Sequence, residues 1–327
     1  MDHQDVVSEI IIHLPRPSYR SVCLVNHMWY RVANTKNVLQ SKYHTVDLYR
    51  LPKLTEQKIL TCLPSITDLT VYQNRFHGTS LCLLTQLTAL NTQGNNTSHL
   101  ITDNHLSMLT QLKTLKVNCL YYDHDVTGSS IRHLTNLTTL HMHACFMMND
   151  VDLLQLTNLT DLDVSSSSIS YKTISRLTDL QRLTMVDNHN IGNKGIKNLT
   201  QLTYLDISIE HATHNPGRIT LSDNGLKNLT GLTQLDLSSN TFISDKGIRH
   251  LTNLTNLDIG YTTTISNRGI CQLTKLTNLY CYGNKQVTVD GVKALKKLKT
   301  IMIDGFDYSI DYKHMMSIAP FFRHNQT

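Results

Sequence analysis

Residues 251–265 read LTNLTNLDIGYTTTI, and the spacing of their apolar positions decides the fold. Leu251, Leu254, Leu257 and Ile259 follow a phrase L-T-x-L-T-x-L-x-Φ, where Φ is apolar, and the phrase recurs along the chain. Its first leucines are Leu63, Leu84, Leu109, Leu134, Leu156, Leu177, Leu199, Leu229, Leu251, Leu273 and Leu295, separated by 21 to 30 residues, with 22 the commonest step. Leu257 and Ile259 alternate, so they form a short strand and point the same way into a stack. Asn256, Asp258 and Gly260 then face the opposite side.

The rest of each unit reads as ISDKGIRHL (243–251), ISNRGICQL (265–273), IGNKGIKNL (191–199) or VTVDGVKAL (287–295). Ser or Asp just before an apolar-periodic segment marks a helix start. Five residues after each strand's first leucine comes a turn position held by Asn74, Asn95, Asn188, Asn240 or Asn284, and elsewhere by Cys145 or Thr262. A buried Asn there is able to bond the free backbone of the neighbouring turn and build a ladder.

A period of 20–30 residues carrying L-x-x-L-x-L resembles the leucine-rich repeats, in their class with a short helix outside each strand. The implied fold is an α/β leucine-rich-repeat solenoid, parallel strands inside and short helices outside. About eleven to twelve units span residues 46–310, counting Val46-Asp47-Leu48 as an edge strand. Strands at ~4.8 Å spacing give a concave surface on the order of 50 Å long. Residues 311–327 break the phrase, and Met315, Met316, Ile318, Phe321 and Phe322 are expected to cap the last repeat.

Residues 1–45 lack the phrase, and four of the six prolines (Pro15, Pro17, Pro52 and Pro64) fall within the first 64 residues. Val6, Val7, Ile10, Ile11 and Leu14 have helical spacing, ended by Pro15 and Pro17. Val22, Leu24, Val25, Trp29 and Val32 suit a second helix. DVVSEIIIHLP followed by SYRSVCLVNHMWYRVAN resembles an F-box, with Asp5, Ile10, Ile11, Leu14, Pro15, Val25, Trp29, Tyr30 and Val32 on matching positions. Where that family opens with Leu-Pro, this chain has Asp2-His3. The resemblance implies a small all-α module ahead of the repeats. It would dock on a Skp-type adaptor of a cullin ubiquitin ligase through Ile10, Ile11, Leu14, Pro15, Val25 and Trp29, while the concave face holds a protein substrate. Read without the family, Trp29 plugs an N-terminal cap of the solenoid, and the protein is a plain binding scaffold.

On the concave face, Asp163, Asp206, Asp236 and Asp258 stack in one row. They either bind a basic segment of a target or are solvated residues of the phrase L-D-Φ-S. His141, His143, Tyr204, Tyr280 and Tyr282 add aromatic anchors to the same face. The step from Leu199 to Leu229 carries about eight extra residues, and His211, His214 and Arg218 are expected on the resulting loop.

In HMHAC (141–145), His141 and His143 diverge from Cys145, which argues against zinc, and no cofactor is expected. No phosphate loop, HExxH or GxSxG occurs, and Glu appears only three times, so the chain is expected to catalyse nothing. Scattered charge summing to +5 gives no basic patch for nucleic acid, and no apolar run approaches ~20 residues. Seven isolated cysteines suit a reducing compartment, and the acidic N-terminus is unlike a signal peptide. An intracellular location follows, cytoplasmic or else nuclear, and the sequons at Asn136, Asn158, Asn198, Asn228 and Asn253 are expected to be products of the recurring phrase rather than glycan sites.

Overall fold

The computed structural model describes residues 45–47, 56–57, 60, 66–72, 77–94, 101–118, 126–145, 147–210, 221–303 and 310–311. The F-box-like residues, the insertion residues His211, His214 and Arg218, and the terminal cap lie outside the described residues. The chain divides into two compact units, one running to Thr139 and the other from Leu140.

In the first unit, strands β1 (Thr45–Asp47), β2 (Asp68–Tyr72), β3 (Ala89–Gly94) and β4 (Thr114–Asn118) pair in parallel and in chain order. Helices α1 (Gly78–Leu81), α2 (Asp103–Ser107) and α3 (Gly128–Ile131) connect successive repeats.

The second unit holds all but the first residue of β5 (Thr139–His143) and continues through β6 (Asp161–Asp163), β7 (Arg182–Thr184), β8 (Tyr204–Asp206), β9 (Gln234–Asp236), β10 (Asn256–Asp258), β11 (Asn278–Cys281) and β12 (Thr300–Ile303). From β6 to β12 every pairing is parallel. A final strand, β13 (Ile310–Asp311), reverses direction and pairs antiparallel with β12. Between the strands lie α4 (Asp150–Leu153), α5 (Tyr171–Ile174), α6 (Gly192–Ile196), α7 (Asp223–Leu226), α8 (Asp245–Ile248), α9 (Asn267–Ile270) and α10 (Val289–Val292).

Leu251, Leu254, Leu257, Ile259, Ile265 and Ile270 are all fully buried, as the spacing of the phrase requires. At roughly 1.5–3 kcal/mol for each buried side chain, a single repeat contributes substantially, but only when a neighbour covers it. Helices of four or five residues are far too short to form alone. Packing of Ile248, Ile270 and their counterparts holds them, together with the caps.

The polar residues of the phrase reach across to the preceding repeat. The buried Asn240 Nδ2 donates to the Ile207 carbonyl at 2.9 Å, while its Oδ1 accepts from the Phe242 and Ile243 N–H groups. Asn188 Nδ2 donates to the carbonyls of Val164 and Ile169, and Asn284 Nδ2 donates to Thr262 Oγ1 and the Ile265 carbonyl. Hydroxyls run a second series, from Thr277 to the Thr255 carbonyl, Thr255 to Thr233 and Thr233 to Thr203, each at 3.0 Å.

A third series ties the helices together. Ser266 caps α9 by accepting from the Arg268 N–H, and its own N–H and hydroxyl donate to Asp245 at the start of α8, at 2.7 and 2.6 Å. Ser244 donates likewise to Asp223, and Ser170 to Asp150. This accounts for the glycine in DKGI: a Cβ on Gly247 would lie 2.5 Å from Asp223 Oδ1, in the space that carboxylate occupies.

The turn after the strand needs a left-handed residue, and Ala144, Ser166, Asp187, Ser239 and Tyr261 all sit at φ between 50° and 57°. Gly283 fills the same position at φ 73° and is the residue suited to it.

Asn240→Ala leaves a buried carbonyl, one buried N–H and one half-buried N–H without this partner, so it is expected to lower the unfolding free energy by about 2–4 kcal/mol. Asn253→Ala, which removes a surface side chain bonded to the Thr230 carbonyl, is expected to cost less than about 1 kcal/mol in the same urea titration.

Candidate protein-binding face

Strand residues that point away from the helices form aligned rows across the second unit. Register places Asp163, Thr184, Asp206, Asp236, Asp258, Tyr280 and Met302 side by side on β6 to β12. Asp206, Asp236 and Asp258 are therefore immediate neighbours, one strand apart (~4.8 Å), whereas Thr184 separates Asp163 from them. Tyr280 is in register beside Asp258. All these residues are half-buried.

The habit of writing L-D-Φ-S has a local cause. Asp206 Oδ1 accepts from the Ser208 N–H and hydroxyl, and Asp236 Oδ1 accepts from the same two groups of Ser238. Asp163 and Asp258 accept in the same way from the N–H of Ser165 and Gly260. One carboxylate oxygen thus closes the turn two residues on. Among the described residues no Lys, Arg or His pairs with any of the four.

That arrangement makes ionisation costly. Burial pushes the Asp206 carboxyl up to about 6, and repulsion from Asp236 and Asp163 adds to the rise against the Ser208 hydrogen bonds. Asp258 is likewise pushed up to about 6 by burial, with Asp236 and Asp206 contributing. Burial and the Asp206 charge raise the Tyr204 phenol as well.

The helix side behaves in the opposite way. Burial alone would raise Asp103 and Asp150. Hydrogen bonds from Ser129, Ser130 and Thr127 to the first, and from Ser170 and Thr173 to the second, outweigh it and lower both carboxyls. Aspartates there are structural ligands of serine and threonine.

A row one step earlier on the strands contains residues that pattern reading overlooked. His141 Nε2 lies 3.1 Å from Asp161 Oδ1, Arg182 Nε lies 3.7 Å from Asp161 Oδ2, and the Arg182 guanidinium stacks 4.0 Å above the Tyr204 ring. Asp161, Arg182 and Tyr204 share one register line on β6, β7 and β8. Tyr204 therefore belongs to this line and not to the aspartate row. Aligning the residue just before each strand's Leu column would have exposed the alternation of charge. Tyr282 follows β11 and meets the ring of Tyr261 edge-on, with centroids 5.6 Å apart; Tyr261 was also overlooked. His143 is half-buried at the end of β5, two residues beyond His141 and outside the His141–Asp161 pair.

Cys145 departs from the expectation of unpaired thiols: it is buried and disulfide-bonded, its partner lying outside the described residues. Its sulfur is not a free thiolate, which removes it from any metal set with His141 and His143. Cys82, Cys271 and Cys281 are not disulfide-bonded. Three of the sequon asparagines, Asn136, Asn228 and Asn253, donate to the carbonyls of Thr110, Lys197 and Thr230 in the preceding repeat.

No protein-family model matches the chain, and no curated protein matches it by sequence. Among solved structures, internalin InlF from Listeria monocytogenes is 24% identical over 78% of this chain and 79% of that one, with a TM-score of 0.50. TLR13, solved in complex with ssRNA13, is 20% identical over 75% of this chain and 36% of its own, with a TM-score of 0.55. The chain has the leucine-rich-repeat fold. The aligned part amounts to about a third of TLR13, so that likeness concerns the repeats and not the whole receptor.

Asp206 and Asp258 hold protons up to about pH 6 in the folded chain but release them near 3.9 when unfolded. The folded state therefore binds more protons between about pH 4 and pH 6, and its stability declines as pH rises through that window. Asp103 and Asp150, being lowered, act in the other direction and only below that window. Asp236→Asn removes the like charge between the two raised groups. Chemical denaturation is expected to show it about 1 kcal/mol more stable than wild type at pH 7 and indistinguishable at pH 4.5.

Proposed function

We propose that this is a non-catalytic binding protein that holds a protein target on the open sheet face of its second unit. Its F-box-like residues 1–45 then connect it to the Skp-type adaptor of a cullin ubiquitin ligase. The observation that carries the binding part is the run Asp206, Asp236 and Asp258, three neighbouring carboxylates with no cationic partner among the described residues. Such a run costs the fold stability, and a cost of that kind persists where a surface serves a partner. Rows of half-exposed polar and aromatic side chains, set on rigid strands, offer many simultaneous contacts of fixed spacing.

The docking part rests on the sequence resemblance of Ile10, Ile11, Leu14, Pro15, Val25 and Trp29 to an F-box. An intracellular, cytoplasmic location goes with that role. The protein would contribute no chemistry; it would raise the concentration of its target beside the ligase. A carboxylate row repels phosphate, which favours protein over nucleic acid on this face. The complex of TLR13 with RNA is a property of that receptor.

The test is a pull-down of the full chain on a purified Skp-type adaptor, beside a variant carrying Trp29→Ala and Leu14→Asp. Capture of wild type at micromolar concentration, lost in the variant while the far-UV signal of the repeats is unchanged, is the expected result. Failure of wild type to bind would contradict the docking role and leave a repeat scaffold.

A further inference from the structure

The end of the open face near β10 and β11 has a composition unlike the rest. Tyr261 and Tyr282 are the exposed aromatics there, 59% and 38% accessible, with their rings edge-on at 5.6 Å. They are tied by backbone, the Tyr261 N–H donating to the Tyr282 carbonyl at 2.8 Å. Tyr282 lies over the position where the preceding repeats carry Ser208, Ser238 and Gly260. Gly260 places no side chain between Ser238, 4.0 Å from where its Cβ would stand, and the Tyr282 backbone. Asp258 lies on the same face, with Oδ1 held by the Gly260 N–H and no partner for Oδ2 among the described residues, and Tyr280 stands beside it in register.

Large rings in water lose nothing by being covered, and a ring face attracts a cation. Nor is a tyrosine at Tyr261 what the turn favours. The backbone there is left-handed, where Ser166, Ser239 and Gly283 serve other repeats. The Tyr261 ring lies against Gly283, 2.4 Å from where a Cβ there would stand, with the Tyr282 ring edge-on to it and Asp258 preceding it on β10; two tyrosine rings and a carboxylate on one face suit a cationic side chain carried on an extended backbone.

We propose that Tyr261, Tyr282 and Asp258 form an anchor for an arginine or lysine side chain of the protein target. This rests on the reading of the open face as the target surface and names the segment it takes: a basic, extended stretch whose further cations meet Asp236 and Asp206 along the row. Because the chain's net charge is +5, a cationic peptide is repelled on average and is held only by a local acidic and aromatic site.

The experiment uses the full chain and a fluorescein-labelled heptapeptide of alternating glycine and arginine, followed by fluorescence anisotropy at low salt. A second peptide, with glutamate replacing arginine, is the control. The variants are Tyr261→Ser and Tyr282→Ser, which place at each position a residue the chain itself uses there in other repeats, and Asp258→Asn, which keeps the acceptor for the Gly260 N–H. Wild type is expected to bind the arginine peptide in the micromolar range and ignore the glutamate one. Each variant is expected to weaken binding about tenfold, with Asp258→Asn also reducing its salt dependence. Arginine-peptide binding indifferent to Tyr261 and Tyr282 but lost in Asp206→Asn overturns the anchor and leaves the face intact. No binding by wild type overturns the basic-segment specificity, and the adaptor pull-down then decides separately whether the ligase reading survives.

Discussion

Each repeat of this chain is too short to satisfy its own backbone, and the bond that resolves this is a side chain reaching one repeat back. A four-residue helix, a strand of three to six residues and the turns joining them leave carbonyls and N–H groups that water cannot reach in a stack. Asn188, Asn240 and Asn284 serve the turn, Thr255 and Thr277 the strand entrance, and Asp223 and Asp245 the helix start. Leucine burial supplies most of the driving force but is non-directional. The polar ladders have fixed geometry, so they set the register in which the leucines meet.

Because the turns and helix starts are committed to holding neighbours together, the strand face is where side chains are free to vary. There the residues range from Asp161 and Arg182 to Tyr204, Gln234 and Asn256 along one register line, while the buried leucines beside them do not change. The two kinds of aspartate show the division of labour. Asp150 receives serine and threonine hydroxyls and is held in its charged form, whereas Asp258 receives a single N–H among other carboxylates and resists ionising. The first builds the stack. The second leaves charge to offer a partner.

Much of this was legible in the sequence, and the reason is periodicity. Leu251, Leu254, Leu257 and Ile259 announce strand and core by spacing, Asn240 announces a buried turn, and the serine before each helix announces a cap. What spacing does not convey is which neighbour a side chain reaches. Ser266 reads as the cap of its own helix, but its donation to Asp245 depends on the stacking of two helices. The glycine of Gly247 looks like a poor helix residue until the carboxylate of Asp223 is found in the space its Cβ would take. Asp163 reads as a member of one aspartate row, yet Thr184 stands between it and Asp206, since adjacency follows strand order and not likeness. Arg182 and Tyr261 were passed over because the phrase leaves their positions open, Arg182 at its variable residue before the strand leucine and Tyr261 two residues beyond its end, and open positions are where a repeat carries its individual chemistry.

The measurement that bears most directly on the ladder is a double-mutant cycle on Asp245 and Ser266, the two ends of one rung. Urea unfolding of Asp245→Ala, Ser266→Ala and the double variant, with intact wild type, gives their coupling energy. The one hydrogen bond that both substitutions remove, from the Ser266 hydroxyl to the Asp245 carboxylate across the repeat boundary, predicts a coupling of about 1–3 kcal/mol. A coupling near zero, with the single losses simply adding, would mean that the hydroxyl-to-carboxylate rung does not hold neighbouring repeats together and would contradict the account.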